Sequence, residues 1–208
     1  MRYRLYREHK YISFMLSEFE RLTAKTDFTD NQQVKHLQQQ LSDLINLMLG
    51  HAEHENHAIH SLLKQKVSKC YEAIEAEHLT QEKQFEQFTA TLVNILTMTS
   101  NEEKNFQGYQ FYLAYRLFVS ENLQHLHQEE TIIMSELQRL YTDEELRRID
   151  FKAYSHMTPE ELLHMTTVLF PHMNSDDKQN FINDIRDAEP EKFKLIADKL
   201  VNDYRFSA

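Results

Sequence analysis

The sequence predicts an all-α protein, an up-down-up-down four-helix bundle followed by a short helical C-terminal extension. Three observations lead there. Glycine occurs twice and proline three times in 208 residues, with every proline at position 159 or later, so most of the chain lacks the residue that interrupts helices most strongly. Apolar residues recur at steps of three and four over long stretches, the spacing of a single helix face. Alternating β-branched runs, which mark strands, do not occur.

The first helix is expected from about Tyr3 to Lys25, with Leu5, His9, Ile12, Met15 or Leu16, Phe19 and Leu22 inward. Thr26 to Asp30 forms a turn in which Thr29 or Asp30 caps the second helix, which runs to about Lys66. The third is expected from Val67 to Thr99, with Tyr71, Ile74, His78, Phe85, Phe88, Leu92 and Ile95 inward. Thr99 to Glu103 supplies cap chemistry for the fourth, which continues to about Tyr141. Short turns can join only antiparallel neighbours, so the four rods alternate up and down. Residues 1–141 make the bundle and 142–208 the extension. The extension reads as shorter helices starting at Thr142, Thr158-Pro159, Ser175 and Pro190, with enough apolar residues to dock on the bundle and no linker to free it.

The formal net charge of −10 argues against a nucleic-acid partner, because phosphate binding relies on clustered Lys and Arg. No apolar run approaches the roughly 20 residues that cross a bilayer, and the first residues lack an apolar signal region. The chain is expected to be cytoplasmic. A single cysteine, Cys70, allows neither an internal disulfide nor a cysteine-only metal site.

Polar residues stand inside the apolar pattern at regular places. In the second helix, Leu41, Leu44, Met48, His51, Glu55, Ile59 and Leu62 trace one stripe; in the fourth, Phe111, Tyr115, Phe118, Asn122, His125, Glu129, Ile132 and Leu140 trace another. The two stretches overlay as a weak internal repeat, with His51, Glu55, Ile59 and Leu63 on His125, Glu129, Ile133 and Leu137. The third helix adds His78 with Glu82 four residues on, and the first adds His9. Counted from the turns at about 1.5 Å per residue, His78 and His125 lie roughly 33 and 37 Å from the turn near residue 100. His9 and His51 are similarly matched across the first turn, so one cluster can collect all four helices.

An ionised carboxylate taken out of water costs several kcal/mol unless it is paired. Four imidazoles and three carboxylates on inward stripes therefore call for a cation. Imidazole and carboxylate donors without thiolate favour iron, manganese or zinc over copper(I), and seven donors exceed one tetrahedral zinc. Two ions fit the count, with Glu55 and Glu129 as bridges and Glu82 as a terminal ligand. The remaining histidines, His36, His54, His57, His60, His127, His156, His164 and His172, read as solvated, and Glu53, Glu75, Glu77 and Glu130 as surface charge. Gly50 is expected to admit a neighbouring helix beside the site.

Taken as a set, Glu8-His9, His51-x-x-x-Glu55, His78 and His125-x-x-x-Glu129-Glu130 resemble the hemerythrin-like, His-His-Glu cation-binding family of four-helix bundles with a non-haem diiron centre. The resemblance covers about residues 1–141. The tail, with Thr158-Pro159-Glu160-Glu161 and Phe170-Pro171, is similar to the helical extension of many bacterial members. The resemblance implies two iron ions held by His9, His51, Glu55, His78, Glu82, His125 and Glu129, and a small diatomic or peroxide ligand. The oxygen carriers of that family use a second His in the third helix and an Asp in the fourth, where Glu82 and Glu129 stand here. A carboxylate-richer site favours ferric iron over reversible O₂ transport. The chain therefore looks closer to members that bind or sense O₂ or a related small oxidant, the alternatives being a diiron peroxidase or oxidoreductase, a nitric-oxide or iron stress protein, or a metal-braced structural bundle. The iron–sulfur repair members carry an N-terminal cysteine-bearing segment, and this chain has no cysteine before Cys70.

Overall fold

The computed structural model describes residues 2–204, and among them all regular structure is helical. The chain divides into two compact units. One is Ile12–Ile133; the other combines Met1–Tyr11 with Met134–Ala208.

Ile12–Ile133 is built from long helices: most of α1 (His9–Lys25), α2 (Asn31–His54), α3 (His60–Gln65), α4 (Glu72–Thr97) and α5 (Asn101–Gln128), with π-helical turns at Glu55–Ile59 and Glu129–Ile133. Two of the starts are set by side chains that satisfy the free N–H groups of a first turn. Asp30 accepts from Gln32 N, and Ser100 from Glu103 N. The inward stripes meet in one core, with Ile12, Leu16 and Phe19 from α1, Leu37, Leu41 and Leu44 from α2, Phe85, Phe88 and Leu92 from α4, and Phe111, Tyr115 and Phe118 from α5. Each large apolar side chain fully buried contributes about 1.5–3 kcal/mol. The aromatic layer is specific as well as apolar: Phe88 meets Phe111, Tyr115 and Phe118 edge-on, and the Tyr115 hydroxyl donates to Leu16 O at 3.1 Å. Helix α4 packs against both α2 and α5.

Two helix starts differ from the sequence expectation. Helix α1 begins at His9 and not near Tyr3, because Tyr6 takes φ 67°, a left-handed conformation that no helix interior accommodates. Helix α4 begins at Glu72 and not at Val67, which takes φ 58° and closes the preceding helix. Gly50 also departs from expectation. A Cβ there would meet nothing within 4 Å, whereas a Cβ on Gly108 would lie 2.2 Å from the Phe28 ring. The close approach is thus at the α5 glycine.

The second unit holds α6 (Met134–Leu140), α7 (Asp143–Ser155), α8 (Pro159–Leu169), a 3-10 turn Phe170–His172, α9 (Ser175–Ala188) and α10 (Pro190–Tyr204). Thr142 with Glu145, and Thr158 with Glu161, form reciprocal capping boxes, and Pro159 takes the first turn of α8, where its missing N–H costs nothing. Leu162, Phe170, Phe181, Ile185, Ile196 and Leu200 make the core. The N-terminal stretch is tied into it: the Tyr3 hydroxyl donates to Asp150, Arg7 pairs with Asp184, and Arg2 pairs with Asp143 at 2.6 Å. Burial pushes the Asp150 carboxyl up to about 6, the charge of Arg7 offsetting only part of the effect. Among the described residues no helix is long and apolar enough to cross a membrane.

The two glycines should respond in opposite directions. Gly50→Ala, with open space and a helical backbone, is expected to raise stability by about 0.5–1 kcal/mol. Gly108→Ala is expected to lower it by about 1–3 kcal/mol; urea titrations of both variants measure the pair. Asp150 generates a pH dependence. Its folded-state pKa of about 6 lies above the ordinary 3.8, so the stability it contributes is complete below the ordinary value and is lost as pH rises through 6. Asp150→Asn should therefore gain on the wild type by up to about 3 kcal/mol between pH 4 and pH 7.5, read from melting curves at the two pH values.

Candidate metal centre

Two helix segments place the central carboxylates, and both do so by the same device. Glu55 and Glu129 each open a π-turn. In the first, the Glu55 carbonyl accepts the N–H of His60 five residues on, one residue wider than an α-turn. The sequence requires this widening. His51, Glu55, Ile59 and Leu63 are all buried, as are His125, Glu129, Ile133 and Leu137, and each step of four overshoots an α-helical turn by about 40°. Three such steps accumulate about 120°, and one extra residue in the turn takes back about 100°. The internal repeat is therefore a repeat of shape: α-helix ending at a histidine face, π-turn opened by glutamate, α-helix resumed.

The donors converge. Glu55, His78, His125 and Glu129 offer ligand atoms that all lie within 4.8 Å of one another, and His51 joins the same two carboxylates within the same limit. His125 Nε2 stands 3.0 Å from Glu129 Oε1 and 3.0 Å from His78 Nε2; His78 Nε2 is 3.4 Å from Glu55 Oε2, and His51 Nε2 is 3.3 Å from Glu55 Oε1. Both carboxylates are fully buried.

A second ring of contacts fixes how the imidazoles face inward. Glu77 Oε2 accepts from His125 Nδ1 at 2.7 Å, so the proton of His125 sits on Nδ1 and its Nε2 lone pair points at the group. Asn56 Oδ1 lies 3.3 Å from His78 Nδ1 and 3.1 Å from His60 Nδ1; as acceptor for both it leaves the Nε2 of His78 a lone pair too. Two lone pairs then face each other at 3.0 Å between two carboxylates, an arrangement that repels unless positive charge lies among them. The donor set thus fits a cation, with two imidazole nitrogens and two carboxylates in one group and a third imidazole sharing both carboxylates in the other. Where no metal ion is bound, protons on the rings take its place. Burial alone would lower His125, but the Glu129 and Glu77 carboxylates hold its pKa up. Burial alone would raise Glu129, but hydrogen bonds from His125 and His78 hold it well below the usual range.

Of the residues expected from sequence, His51, Glu55, His78, His125 and Glu129 come together. His9 heads α1, is buried, and lies with its ring 4.7 Å from that of Tyr6. Glu82 does not join. It is exposed on α4, whose inward face at that level is Gln81; Ile74, His78, Gln81, Phe85 and Phe88 step four, three, four and three, so the three-residue step after His78 turns Glu82 outward. Three further departures follow from the π-turns, which rotate what comes after them by one residue. Leu63 is buried and not Leu62, Ile133 and not Ile132, and His60, expected in solvent, is fully buried. His60 stacks on His78 with ring centroids 6.0 Å apart, and burial, aided by the nearby His78, lowers it to about 4. Glu77 and Glu75, expected as surface charge, are the partners of His125 and His60. The run of three successive four-residue steps was the available sign of the rotation.

Comparison with known proteins gives no matching family model, no matching curated protein and no matching solved structure. What the geometry establishes is a helical protein with buried His/Glu groups that can hold metal ions.

Partners that orient a ligand are expected to matter more than an exposed acid one helical turn away. Glu77→Ala should weaken zinc or cobalt(II) binding about 10- to 100-fold, whereas Glu82→Ala should leave it unchanged; competition against a chromophoric chelator measures both.

Proposed function

We propose that this chain is a hemerythrin-like, non-haem diiron-binding protein of the cytoplasm that binds or senses O₂ or a related small oxidant. The observation that carries the reading is the sharing of Glu55 and Glu129 by two overlapping donor groups, which is what two cations bridged by carboxylates from facing helices need. The long helices α1, α2 with α3, α4 and α5 with α6 are taken as the four rods of an up-down-up-down bundle, joined by short turns. His78 and His125 would hold one iron and His51 the other. His9, buried at the head of α1, is proposed as a further ligand. Glu82, exposed, is left out of the ligand set.

Iron bound there would supply a redox-active Lewis acid. The chain's own contribution is to hold the donors. Glu77 and Asn56 keep the His125 and His78 rings turned with Nε2 inward, and the Phe85, Phe88 and Phe118 layer keeps water from the apolar side of the core. The donor set is oxygen-rich and lacks thiolate, which suits iron and also accepts manganese or zinc.

Metal content separates ligands from bystanders. His51→Ala and His125→Ala should each lose most of the bound iron, and His57→Ala, whose exposed ring contacts its own backbone at Glu53 O, should keep it; equal retention in all three overturns the assignment. For the loaded protein, a visible absorption band that changes on exposure to O₂ or peroxide is expected. Steady-state peroxide turnover in its place moves the reading to a diiron peroxidase. Helices that melt on metal removal, with a loaded form indifferent to both ligands, reduce the metal to a brace.

A further inference from the structure

Between α4 and α5 lies a cleft of about 290 Å³ with His125 in its wall. Its two ends are marked by hydrogen bonds that cross from one helix to the other. Glu77 on α4 takes the Nδ1 proton of His125 on α5, and Gln84 Nε2 on α4 donates to Glu121 on α5 at 2.9 Å. Between them stand Gln81 and Asn122, both buried. An apolar side chain at either place would have extended the core stripe, so two primary amides there are an outlay that packing alone does not explain.

The Asn122 amide has a defined orientation. Its Nδ2 donates to Phe118 O at 2.8 Å, and since a carbonyl can only accept, the group cannot be turned round. Asn122 Oδ1 is then an acceptor without a hydrogen-bond partner, on a residue only 1% exposed. A buried carbonyl oxygen left without a donor costs about 1–3 kcal/mol. What it lacks is an N–H or O–H group.

Charge narrows the visitor further. The cleft has two carboxylates in its lining, Glu77 and Glu121, and neither lysine nor arginine. That lining carries negative charge only, which disfavours an anion at the Glu121 rim.

We propose that the α4–α5 cleft is a binding site for a small uncharged molecule carrying O–H or N–H, held by the Asn122 and Gln81 amides beside His125, in preference to small anions. The proposal rests on the metal-binding reading above. It specifies that reading by substrate class: hydrogen peroxide or hydroxylamine, and not azide or nitrite.

The test uses the full chain loaded with zinc, which is diamagnetic, with metal content measured first. Hydroxylamine at pH 7.5 serves as the uncharged probe and azide as the anion, and the side-chain amide resonances of Asn122 and Gln81 are followed by NMR. Saturable shifts with hydroxylamine and none with azide are expected. Asn122→Leu should weaken hydroxylamine binding about tenfold, the loss of one buried hydrogen bond. Because that substitution falls in the core, Glu121→Lys on the exposed rim gives a second reading: azide binding should rise several-fold while hydroxylamine is unchanged. Azide binding as well as hydroxylamine in the wild type overturns the proposal, as does a Glu121→Lys variant that treats azide as the wild type does. Zinc uptake without amide shifts overturns the cleft and leaves the metal reading standing. Amide shifts in a chain that takes up no zinc keep the cleft as a binding site and remove the metal reading.

Discussion

The structure depends on the burial of two glutamates, Glu55 and Glu129, at the level where three imidazoles meet. Two carboxylates sequestered a few ångström apart repel each other strongly in a medium that screens poorly. Their mutual proximity is stable only where positive charge is shared between them. Imidazolium supplies some, as the raised pKa of His125 and lowered pKa of Glu129 indicate. One proton on a ring does not neutralise two carboxylates and a third at Glu77, and the two Nε2 atoms 3.0 Å apart can share a proton or each face a metal ion.

That electrostatic requirement explains a feature of the backbone that packing would not call for. A plain α-helix could bury His51 and Glu55, or Glu55 and Ile59, but it could not keep Leu63 on the same line. The π-turn resolves the conflict by spending one extra residue at the glutamate, and the chain uses it twice. Since the i→i+5 bond stacks His60 directly over Glu55, the widened turn also brings a second tier of polar groups, His60 with Asn56 and Glu75, above the first. In the other copy of the repeat the position equivalent to His60 is Met134, buried and apolar. The two halves are alike in their donors and unlike in the residue that follows the π-turn, polar in one and apolar in the other.

Much of this was legible from residue spacing. The helix faces of α1, α2, α4 and α5 follow from steps of three and four, and Asp30, Ser100, Thr142 and Thr158 announce their helices through hydrogen-bond chemistry that is local to a few residues. His51, Glu55, His78, His125 and Glu129 were identifiable because polar residues on an apolar stripe stand out. What failed had non-local or cumulative causes. Leu62, Ile132 and His60 were misplaced because a 3.6-residue period counted past residue 55 or 129 ignores the inserted residue. Tyr3 to Glu8 have helix-compatible spacing, yet Tyr3 and Arg7 are engaged by Asp150 and Asp184, well over a hundred residues away. Glu82 has the right interval from His78 for a ligand, but α4 turns its three-residue step inward at that point, and a choice between i+3 and i+4 is made by the neighbouring helices.

The outer groups decide what kind of centre this is. Glu77 contacts His125 and also walls the cleft between α4 and α5, so one carboxylate both turns a donor toward the interior and gives its outer approach a negative charge. An imidazole whose Nδ1 proton is engaged by a carboxylate is a stronger donor at Nε2, which favours ions of higher charge in the same place. The same carboxylate disfavours anions on the outside. On the proposed reading the residues around His125 suit a visitor that donates hydrogen bonds, because Gln81 and Asn122 are amides buried where α4 and α5 meet.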